Sequence, residues 1–188
     1  MLEAIIEQHS FTQYGLWKTT GVAFGTAHNV VKFLEQKKVV AKSGKKYVIT
    51  SWPGLFALFS AFRSFPKPLA SLQLAMSVKG AERYLADKKF IFCLTSAWRH
   101  YDDYLHDPQL HVYAPGRTEA EQAMKELSRL AKGNTIVNIY PQDLEVRPIR
   151  KKILFTSLPR TLLDLSSSQY AYGTENWIRK QATKWQQK

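Results

Sequence analysis

The segment from Gly21 to Leu34 carries the side chains best suited to chemical recognition in the first part of the chain. Apolar residues recur within it at the spacing of an α-helix, which predicts one buried face. That face consists of Ala27, Val30, Val31 and Leu34. The opposite face carries polar residues, namely Thr26, His28, Asn29 and Lys32. Short polar groups near the N-terminus of such a helix can hydrogen-bond to base edges in the major groove of DNA.

Each polar side chain has a role that its chemical type allows. The Asn29 amide can make the bidentate contact with adenine, and the His28 ring can donate a hydrogen bond to a purine. Lys32, or Lys18 on the preceding segment, can contact phosphate. A small residue such as Gly25 would keep the start of the helix close to the duplex. This set of residues predicts sequence-specific binding of double-stranded DNA.

Charge and composition support a polyanionic partner. The 188 residues include 27 lysines and arginines against 15 acidic residues, for a formal net charge of +12. This excess favours nucleic acid, with an anionic membrane surface as the weaker alternative. Hydrophobic residues make up 45% of the chain, enough for a folded core rather than a disordered basic tail. The single cysteine, Cys93, excludes an intramolecular disulfide framework and a cysteine-rich zinc site.

The sequence also bears on compartment. The first eight residues include two glutamates, unlike the basic start of a secretory signal. The most apolar stretch, 54–62, is shorter than the roughly 18 residues needed to span a bilayer, and Arg63 follows it. We therefore predict a cytoplasmic protein without membrane association.

Patterns before residue 52 predict three helices followed by a β-hairpin. Helical spacing places two helices near residues 1–8 and 12–19, ahead of the polar-faced helix. The runs Val39–Ala41 and Lys46–Thr50 flank a turn at Ser43-Gly44, which is typical of a hairpin. Lysines lie at or near its tip, namely Lys42, Lys45 and Lys46. They would lie along the DNA backbone or minor groove and add affinity through counterion release.

The run from Phe11 to Thr50 resembles the winged helix-turn-helix of prokaryotic transcription regulators. The likeness rests on residues 20–40, TGVAFGTAHNVVKFLEQKKVV, and on the order of helices and strands around them. It implies that residues 1–52 form a DNA-binding domain, in which the third helix reads the groove and the hairpin is the wing. A winged helix used for contacts with another protein is the alternative.

The chain from residue 53 onward predicts alternating helices and strands after a turn signal at Ser51–Gly54. Helices are expected near 54–63, 69–77, 79–88 and 118–132, then after Pro159 and over 174–185. Strands are expected near 90–95, 109–114, 135–140 and 145–156. We predict an α+β fold, in which residues 1–52 form the winged helix-turn-helix and residues 53–188 form an α/β domain with a mixed sheet.

A second resemblance lies near the C-terminus, in the run 153–165, ILFTSLPRTLLDL. This run is similar to the TSxxRTLLDL segment of the AbiEi-type antitoxin family. The runs 68–75 and 92–97 are similar to two shorter stretches of that family. Its members combine an N-terminal winged helix with an α/β domain and repress their own toxin–antitoxin operon. The resemblance implies a second domain that adds DNA contacts, dimerises or binds a partner, although only a helix and a basic tail follow Asp164.

The densest basic run of the second half is formed by Arg147, Arg150, Lys151 and Lys152. It predicts either a second nucleic-acid surface or an exposed strand edge protected by charge. Arg160 follows soon after and is a further candidate phosphate contact. Its spacing from Asp164 equally fits an i,i+4 ion pair at the start of a helix.

Candidate catalytic groups form no motif of specific spacing. Side chains of metal-ligand type cluster without a recognised metal spacing at His100, Asp102, Asp103, His106, Asp107 and His111. The acidic pair Asp143 and Glu145, followed by a Lys-Lys dipeptide, faintly matches a nuclease pattern. A metal-dependent nuclease that docks its substrate with the winged helix is the alternative function. We expect no catalytic residues, no metal and no cofactor.

These patterns together predict a DNA-binding transcriptional regulator, either a repressor or an antitoxin-like autorepressor. A cognate toxin or another acidic protein is a further candidate partner, and a homodimer is a candidate assembly.

Overall fold

The computed structural model describes residues 1–105, 107–130 and 132–185. Within these ranges the chain has an α+β fold with two separate β-sheets, as predicted for the fold class. It divides into two compact units. The N-terminal unit comprises residues 1–63 and the chain from Thr174, and the central unit comprises residues 64–173.

The division after Arg63 differs from the predicted boundary after Trp52. The Ser51 side chain accepts a hydrogen bond from the backbone N–H of Gly54 at 3.1 Å, and a proline occupies the first turn that follows. A serine cap and an early proline begin a helix, here α4 (Trp52–Phe62). The proline–glycine signal therefore marks the start of a helix inside the N-terminal unit.

The N-terminal unit begins with elements in the order helix, strand, helix, helix, strand, strand. They are α1 (Leu2–Gln8), β1 (Ser10–Phe11), α2 (Gln13–Thr20), α3 (Phe24–Gln36), β2 (Val40–Ser43) and β3 (Lys46–Ile49). The strands form an antiparallel sheet in the order β1-β3-β2. The three predicted helices and the hairpin are confirmed, and β1 adds a strand that the sequence patterns did not predict.

Local signals determine where these elements begin and end. The Thr12 hydroxyl accepts a hydrogen bond from the backbone N–H of Gly15 at 2.9 Å and caps α2. Gly21 ends α2 in the left-handed conformation, with φ of 68°. Gly44, with φ of 60°, allows the two-residue turn between β2 and β3. The buried face of α3 consists of Ala27, Val31 and Leu34.

The central unit contains strands and helices in alternation. They are β4 (Ala70–Leu74), α5 (Val78–Asp87), β5 (Ile91–Phe92), α6 (Leu94–Trp98), β6 (Leu110–Tyr113), α7 (Arg117–Ser128), β7 (Thr135–Tyr140), β8 (Pro148–Arg150), β9 (Leu154–Thr156) and α8 (Leu158–Ser166); α9 (Ala171–Trp185) follows. In the described residues the strands form one sheet in the order β4-β7-β6-β5-β9-β8. β6 pairs in parallel with β7, and β5 with β9, whereas the other pairs are antiparallel. The predicted mixed sheet is confirmed.

The two faces of this sheet differ because neighbouring residues of a strand point to opposite sides. On one side β6 and β7 contribute apolar residues to the core, namely Leu110, Val112, Val137 and Ile139. Helices α5 and α7 complete that core with Ala81, Leu85, Ala120, Ala123 and Leu127. The alternate residues of the same strands are His111, Tyr113, Asn138 and Tyr140, all buried. The opposite face is therefore polar and aromatic, and its groups need hydrogen-bond partners inside the protein.

The segment 69–77 contains a strand, β4, where the sequence predicted a helix. Residues 70–74 alternate between more and less buried positions, which is the period of a strand. β4 pairs antiparallel with β7, from Ala70 opposite Ile139 to Leu74 opposite Thr135. Pairing with a strand far along the chain overrides the local helical pattern here.

Among the helices of the described residues, none combines the length and the apolar composition that a bilayer crossing requires. The longest of these helices, α9, has 15 residues, fewer than the roughly 20 of a membrane-spanning helix.

Substitution of Gly133 measures how closely the backbone packs against β4. A Cβ atom at this position would overlap the carbonyl oxygen of Leu74 and the Cα of Ala75, which are backbone atoms that cannot rotate away. We expect Gly133→Ala to lower the free energy of unfolding by about 1–3 kcal/mol, measured by urea denaturation with circular dichroism. Gly25→Ala is the control and should be at least as stable as the parent, because a Cβ there meets no described atom within 4 Å and alanine favours the helix more than glycine does. Equal stability of the two variants would contradict this packing.

Candidate nucleic-acid interface

The exposed face of α3 presents polar side chains at regular helical spacing. Thr26, Asn29 and Lys32 follow one another at intervals of three residues, and all three are exposed. Gly25 precedes them, and a Cβ atom at this position would meet no atom of the described residues within 4 Å. Four of the residues predicted to contact DNA are therefore exposed on α3.

These side chains differ in whether they already have a partner. The Lys32 ammonium donates to the Glu35 carboxylate at 2.9 Å, one turn further along α3. This hydrogen bond, together with the charge of Glu35, raises the pKa of Lys32. Thr26 and Asn29 make no side-chain hydrogen bond to any described residue. The Asn29 amide thus offers a donor and an acceptor side by side to an external partner.

His28 contacts α2, which changes the hydrogen bond that it can offer. Its Nδ1 lies 3.2 Å from the side-chain oxygen of Gln13, and the Gln13 amide nitrogen lies 3.4 Å from the Tyr47 hydroxyl. Because an amide oxygen only accepts, Nδ1 donates in this contact. Nε2 then accepts a hydrogen bond from a base amino group when the ring is neutral and donates when the ring is protonated, so donation from His28 to a purine stays a prediction.

The lysines of the β2–β3 hairpin are all exposed. Lys45 lies in the turn, and Lys42 and Lys46 lie on the adjoining strands. Lys18 is exposed in the last turn of α2, where a positive charge also stabilises the C-terminal end of the helix. None of the four forms an ion pair with a described residue. Their charges are available to a polyanion.

Three exposed aromatic rings lie next to this polar face, a feature that sequence reasoning missed. Tyr14 and Trp17 lie on α2 with ring centres 5.1 Å apart, and Phe24, at the start of α3, lies 6.3 Å from Trp17. Their exposed fractions are 61%, 37% and 48%. The sequence signal that could have indicated them is the position of Tyr14 and Trp17 on either side of Leu16, the buried residue of the short helix α2. Exposed rings of this kind can contact thymine methyl groups.

The basic run of the central unit lies at an edge of its sheet. Arg150 ends β8, which is an outer strand, and Lys151 and Lys152 follow in the connection to β9. Arg147 precedes β8 and lies 3.5 Å from the Glu145 carboxylate. Charged side chains on an edge strand hinder pairing with another chain. Both predictions for this run, a protected edge and a nucleic-acid surface, require exposed side chains, and all four are exposed.

Arg160 is buried, which corrects its prediction as a phosphate contact. Only 1% of the residue is exposed. Its Nε donates to Asp164 at 2.9 Å, and its Nη2 donates to the Tyr113 hydroxyl at 3.0 Å and to Asp143 at 3.2 Å. The alternative prediction, an i,i+4 ion pair with Asp164, is confirmed. A guanidinium enclosed in this way cannot reach a nucleic acid backbone.

A second buried polar cluster lies on the same face of the sheet, and sequence reasoning missed it. His111 Nε2 lies 3.1 Å from the Asp107 carboxylate, and His111 Nδ1 lies 3.1 Å from the Tyr140 hydroxyl. The Tyr170 hydroxyl donates to the same carboxylate. The sequence suggested Asp107 and His111 only as members of a metal-ligand cluster. Tyr140 and Tyr170 are far along the chain, so no local pattern connected them.

The protonation states of this cluster follow from burial and hydrogen bonding. Burial alone would raise the pKa of Asp107, but hydrogen bonds from His111, Tyr170 and the backbone of Gln109 outweigh it and lower the pKa to about 2. Burial and the hydrogen bond to Asp107 raise the pKa of Tyr170 to about 12. Burial also raises the pKa of Tyr140. At neutral pH Asp107 is ionised and both tyrosines are protonated, which determines the direction of their hydrogen bonds.

The carboxylates considered as metal ligands have other partners. Asp143 is paired with Arg160, and Asp102 accepts a hydrogen bond from the backbone N–H of Tyr104. His106 lies outside the described residues. In the part of the chain that the structure describes, no group of three or more His, Cys, Asp and Glu side chains is arranged to hold a metal ion.

The buried ion pair makes Arg160 a determinant of stability. Arg160→Ala would leave the buried Asp164 carboxylate without its charged partner. We expect a loss of about 3–5 kcal/mol in the free energy of unfolding, measured by urea denaturation. Arg150→Ala removes the same charge from an exposed position and should change stability by less than about 0.5 kcal/mol. Similar denaturation midpoints for the two variants would show that the buried pair does not stabilise the fold.

Asp107 should make stability depend on acid. Its pKa in the folded chain, about 2, lies below its ordinary value of 3.8. The ionised carboxylate therefore stabilises the folded state above about pH 4, and this contribution is lost as the pH falls through about 2. We expect the stability difference between the parent and Asp107→Asn to shrink between about pH 4 and pH 2, measured by thermal denaturation at each pH. A difference that does not change with pH would contradict the ionised state.

No family model matches this chain, and neither a curated protein nor a solved structure was found to be similar to it. The likeness to winged-helix regulators and to AbiEi-type antitoxins therefore rests on the residues of this chain alone. What the chain does has to be inferred from the chemistry and placement of its own side chains.

Proposed function

We propose that this protein is a transcriptional regulator that binds double-stranded DNA through a winged helix-turn-helix in residues 1–52. The observation that carries the proposal is the order α1-β1-α2-α3-β2-β3, with the strands in the order β1-β3-β2, combined with an exposed polar face on α3. In this proposal α2 and α3 form the helix-turn-helix, α3 is the recognition helix, and the β2–β3 hairpin is the wing.

The connection between α2 and α3 supports this proposal. Gly21 ends α2 in a conformation that suits glycine, and only Val22 and Ala23 separate it from α3. A short connection of small residues allows the N-terminal end of α3 to approach the duplex closely. Gly25, with open space around its Cα, adds to this clearance.

Sequence readout would come from the first two turns of α3. The Asn29 amide is exposed without a described partner, so it can make two hydrogen bonds to an adenine. Thr26 lies one turn before it on the same face and can contact either a base edge or a phosphate. His28, as an acceptor at Nε2, suits the amino group of an adenine or a cytosine.

Affinity without sequence preference would come from the lysines. Lys42, Lys45 and Lys46 on the hairpin carry no ion pair with a described residue, so each can neutralise a phosphate and release a counterion. Lys18 can do the same from α2. Lys32 would first have to leave Glu35, which makes its contribution smaller than that of the hairpin lysines.

Regulation would follow from occupation of a promoter, which excludes the transcription machinery. The resemblance of the run 153–165 to AbiEi-type antitoxins extends this proposal to autorepression of an operon that also encodes a toxin. In that case the central unit would bind the toxin or a second copy of the chain.

The recognition helix can be tested without a known operator. Duplexes selected from a randomised pool with the parent protein should share a motif, and Asn29→Ala should weaken binding to that motif by about 1–3 kcal/mol, since it removes a bidentate base contact. Lys32→Ala should weaken binding to motif and random duplexes alike and reduce the salt slope by at most about 1, since Glu35 already neutralises part of its charge. Gel-shift titrations at several salt concentrations measure both effects.

Matched variants on the other unit are the controls. Asn134→Ala and Lys125→Ala remove the same side chains from exposed positions of the central unit and should bind both duplexes like the parent. If Asn29→Ala and Lys32→Ala also bind like the parent, α3 is not the recognition helix. Incubation of the duplexes with magnesium or manganese separates this function from the nuclease alternative, because a regulator leaves the DNA intact.

A further inference from the structure

The polar face of the central sheet opens into a pocket of about 460 Å³. Its walls are the segment 64–68, the strands β6 and β7, and the residues that follow α8. Polar and aromatic side chains of its lining include Lys67, Gln109, His111, Asn138, Tyr140 and Tyr170. The volume falls within the range of about 300–1,000 Å³ that is typical of small-molecule sites.

An amide pair gives this pocket a donor next to an acceptor. Asn138 Nδ2 donates to the side-chain oxygen of Gln109 at 2.8 Å. This bond leaves Gln109 Nε2 as a donor and Asn138 Oδ1 as an acceptor, neither bonded to a described residue. Asn138 is 6% exposed, and neither of these two atoms is among the buried polar atoms that lack a partner, so both are accessible from the pocket. The pair can therefore bind a ligand with the complementary acceptor and donor on one edge.

The hydrogen bonds of the aromatic wall are already satisfied within the protein. Ionised Asp107 accepts hydrogen bonds from His111 Nε2 and from the Tyr170 hydroxyl. His111 Nδ1 lies 3.1 Å from the Tyr140 hydroxyl, so both ring nitrogens have a partner within the protein. Phe65 packs edge-on against Tyr140, with ring centres 4.9 Å apart. Because its hydrogen-bonding groups already have partners, this wall presents ring surface to the pocket, which suits the flat face of a ligand.

Lys67 is the only Lys or Arg among the described residues that line the pocket, and no Asp or Glu is among them. It lies at the exposed side of the lining without an ion pair to a described residue. The ionised Asp107 lies behind the aromatic wall, where His111 and Tyr170 bind it. Lys67 is therefore placed to contact an anionic group of a ligand.

We propose that this pocket binds a nucleoside monophosphate. The amide pair of Gln109 and Asn138 complements the donor–acceptor edge of a nucleobase, the aromatic wall its flat face, and Lys67 the phosphate. The same chemical unit occurs free and within a nucleic acid strand, and the site takes the free nucleotide as an effector. This inference does not depend on DNA binding by α3, because all the residues that carry it belong to the central unit.

Isothermal titration calorimetry of the full chain with AMP, GMP, CMP and UMP in turn tests the proposal. At least one nucleotide should bind, and inorganic phosphate and ribose 5-phosphate should bind at least tenfold more weakly, because they lack the base. A dinucleotide should bind no more tightly than the best mononucleotide. The proposal is overturned if no mononucleotide binds, if phosphate binds as tightly as the nucleotides, or if the dinucleotide binds more tightly.

Variants assign the binding to this pocket. Gln109→Leu should reduce nucleotide affinity at least tenfold, and Lys67→Ala should reduce affinity for the nucleotide but not for the matching nucleoside. Lys125→Ala is the matched control for charge and should bind like the parent. A thermal melt of each variant verifies that it is folded, and Gln109 is suited to this purpose because it lies in a partly exposed loop. Parent-like binding by Gln109→Leu would overturn the assignment.

Two variants distinguish failure of the nucleotide site from failure of the proposed DNA binding. Asn29→Ala should bind nucleotides like the parent, and Gln109→Leu should bind DNA like the parent when no nucleotide is present. Loss of nucleotide binding in Asn29→Ala would contradict an independent site in the central unit.

Discussion

The alternation of side chains along β6 and β7 is the constraint on which the central unit depends. It sends Leu110, Val112, Val137 and Ile139 into an apolar core and their neighbours to the other side of the sheet. Those neighbours are polar or aromatic and still buried. Each must find a partner inside the protein, since a buried polar group without one costs about 1–3 kcal/mol. The two polar clusters on that face are the result.

The cluster around Arg160 shows how a buried charge is tolerated. Asp164 supplies the opposite charge, Tyr113 and Asp143 receive further hydrogen bonds, and the Tyr113 hydroxyl donates to the second oxygen of Asp164 at 2.9 Å. The guanidinium therefore donates hydrogen bonds from Nε and Nη2 to groups inside the protein. A side chain that looked like part of a basic surface is in fact committed to the interior.

The lysines and arginines of the chain have different structural roles. The hairpin lysines are exposed and carry no ion pair within the described residues, so they remain available to a polyanion. Lys32 is paired on its own helix, Arg160 is neutralised in the core, and Arg150 lies at a sheet edge. Net charge therefore overstates the charge that is available for binding. Most of the positive charge available for the proposed DNA contact lies on the hairpin lysines of the N-terminal unit, Lys42, Lys45 and Lys46.

Local signals allowed much of the N-terminal unit to be predicted from sequence. Capping by Thr12, the left-handed Gly21 and the turn at Gly44 act within a few residues, so the three helices and the hairpin followed from the pattern. The same reasoning was wrong at 69–77, because the strand there is held by hydrogen bonds to β7, more than sixty residues away along the chain. Sequence reasoning also placed the domain boundary after Trp52. In the structure a capped proline–glycine turn begins helix α4 there, and the two compact units divide after Arg63.

By itself the sequence determined the α+β class and the exposed face of α3, because each follows from patterns of residues close together in the chain. Only the tertiary structure decided that Arg160 is buried and paired with Asp164 rather than exposed, and that Asp107 and His111 meet Tyr140 and Tyr170. It also brought Gln109 beside Asn138 at the pocket. These outcomes depend on strand register and on contacts between distant segments, and no periodicity or local spacing encodes them.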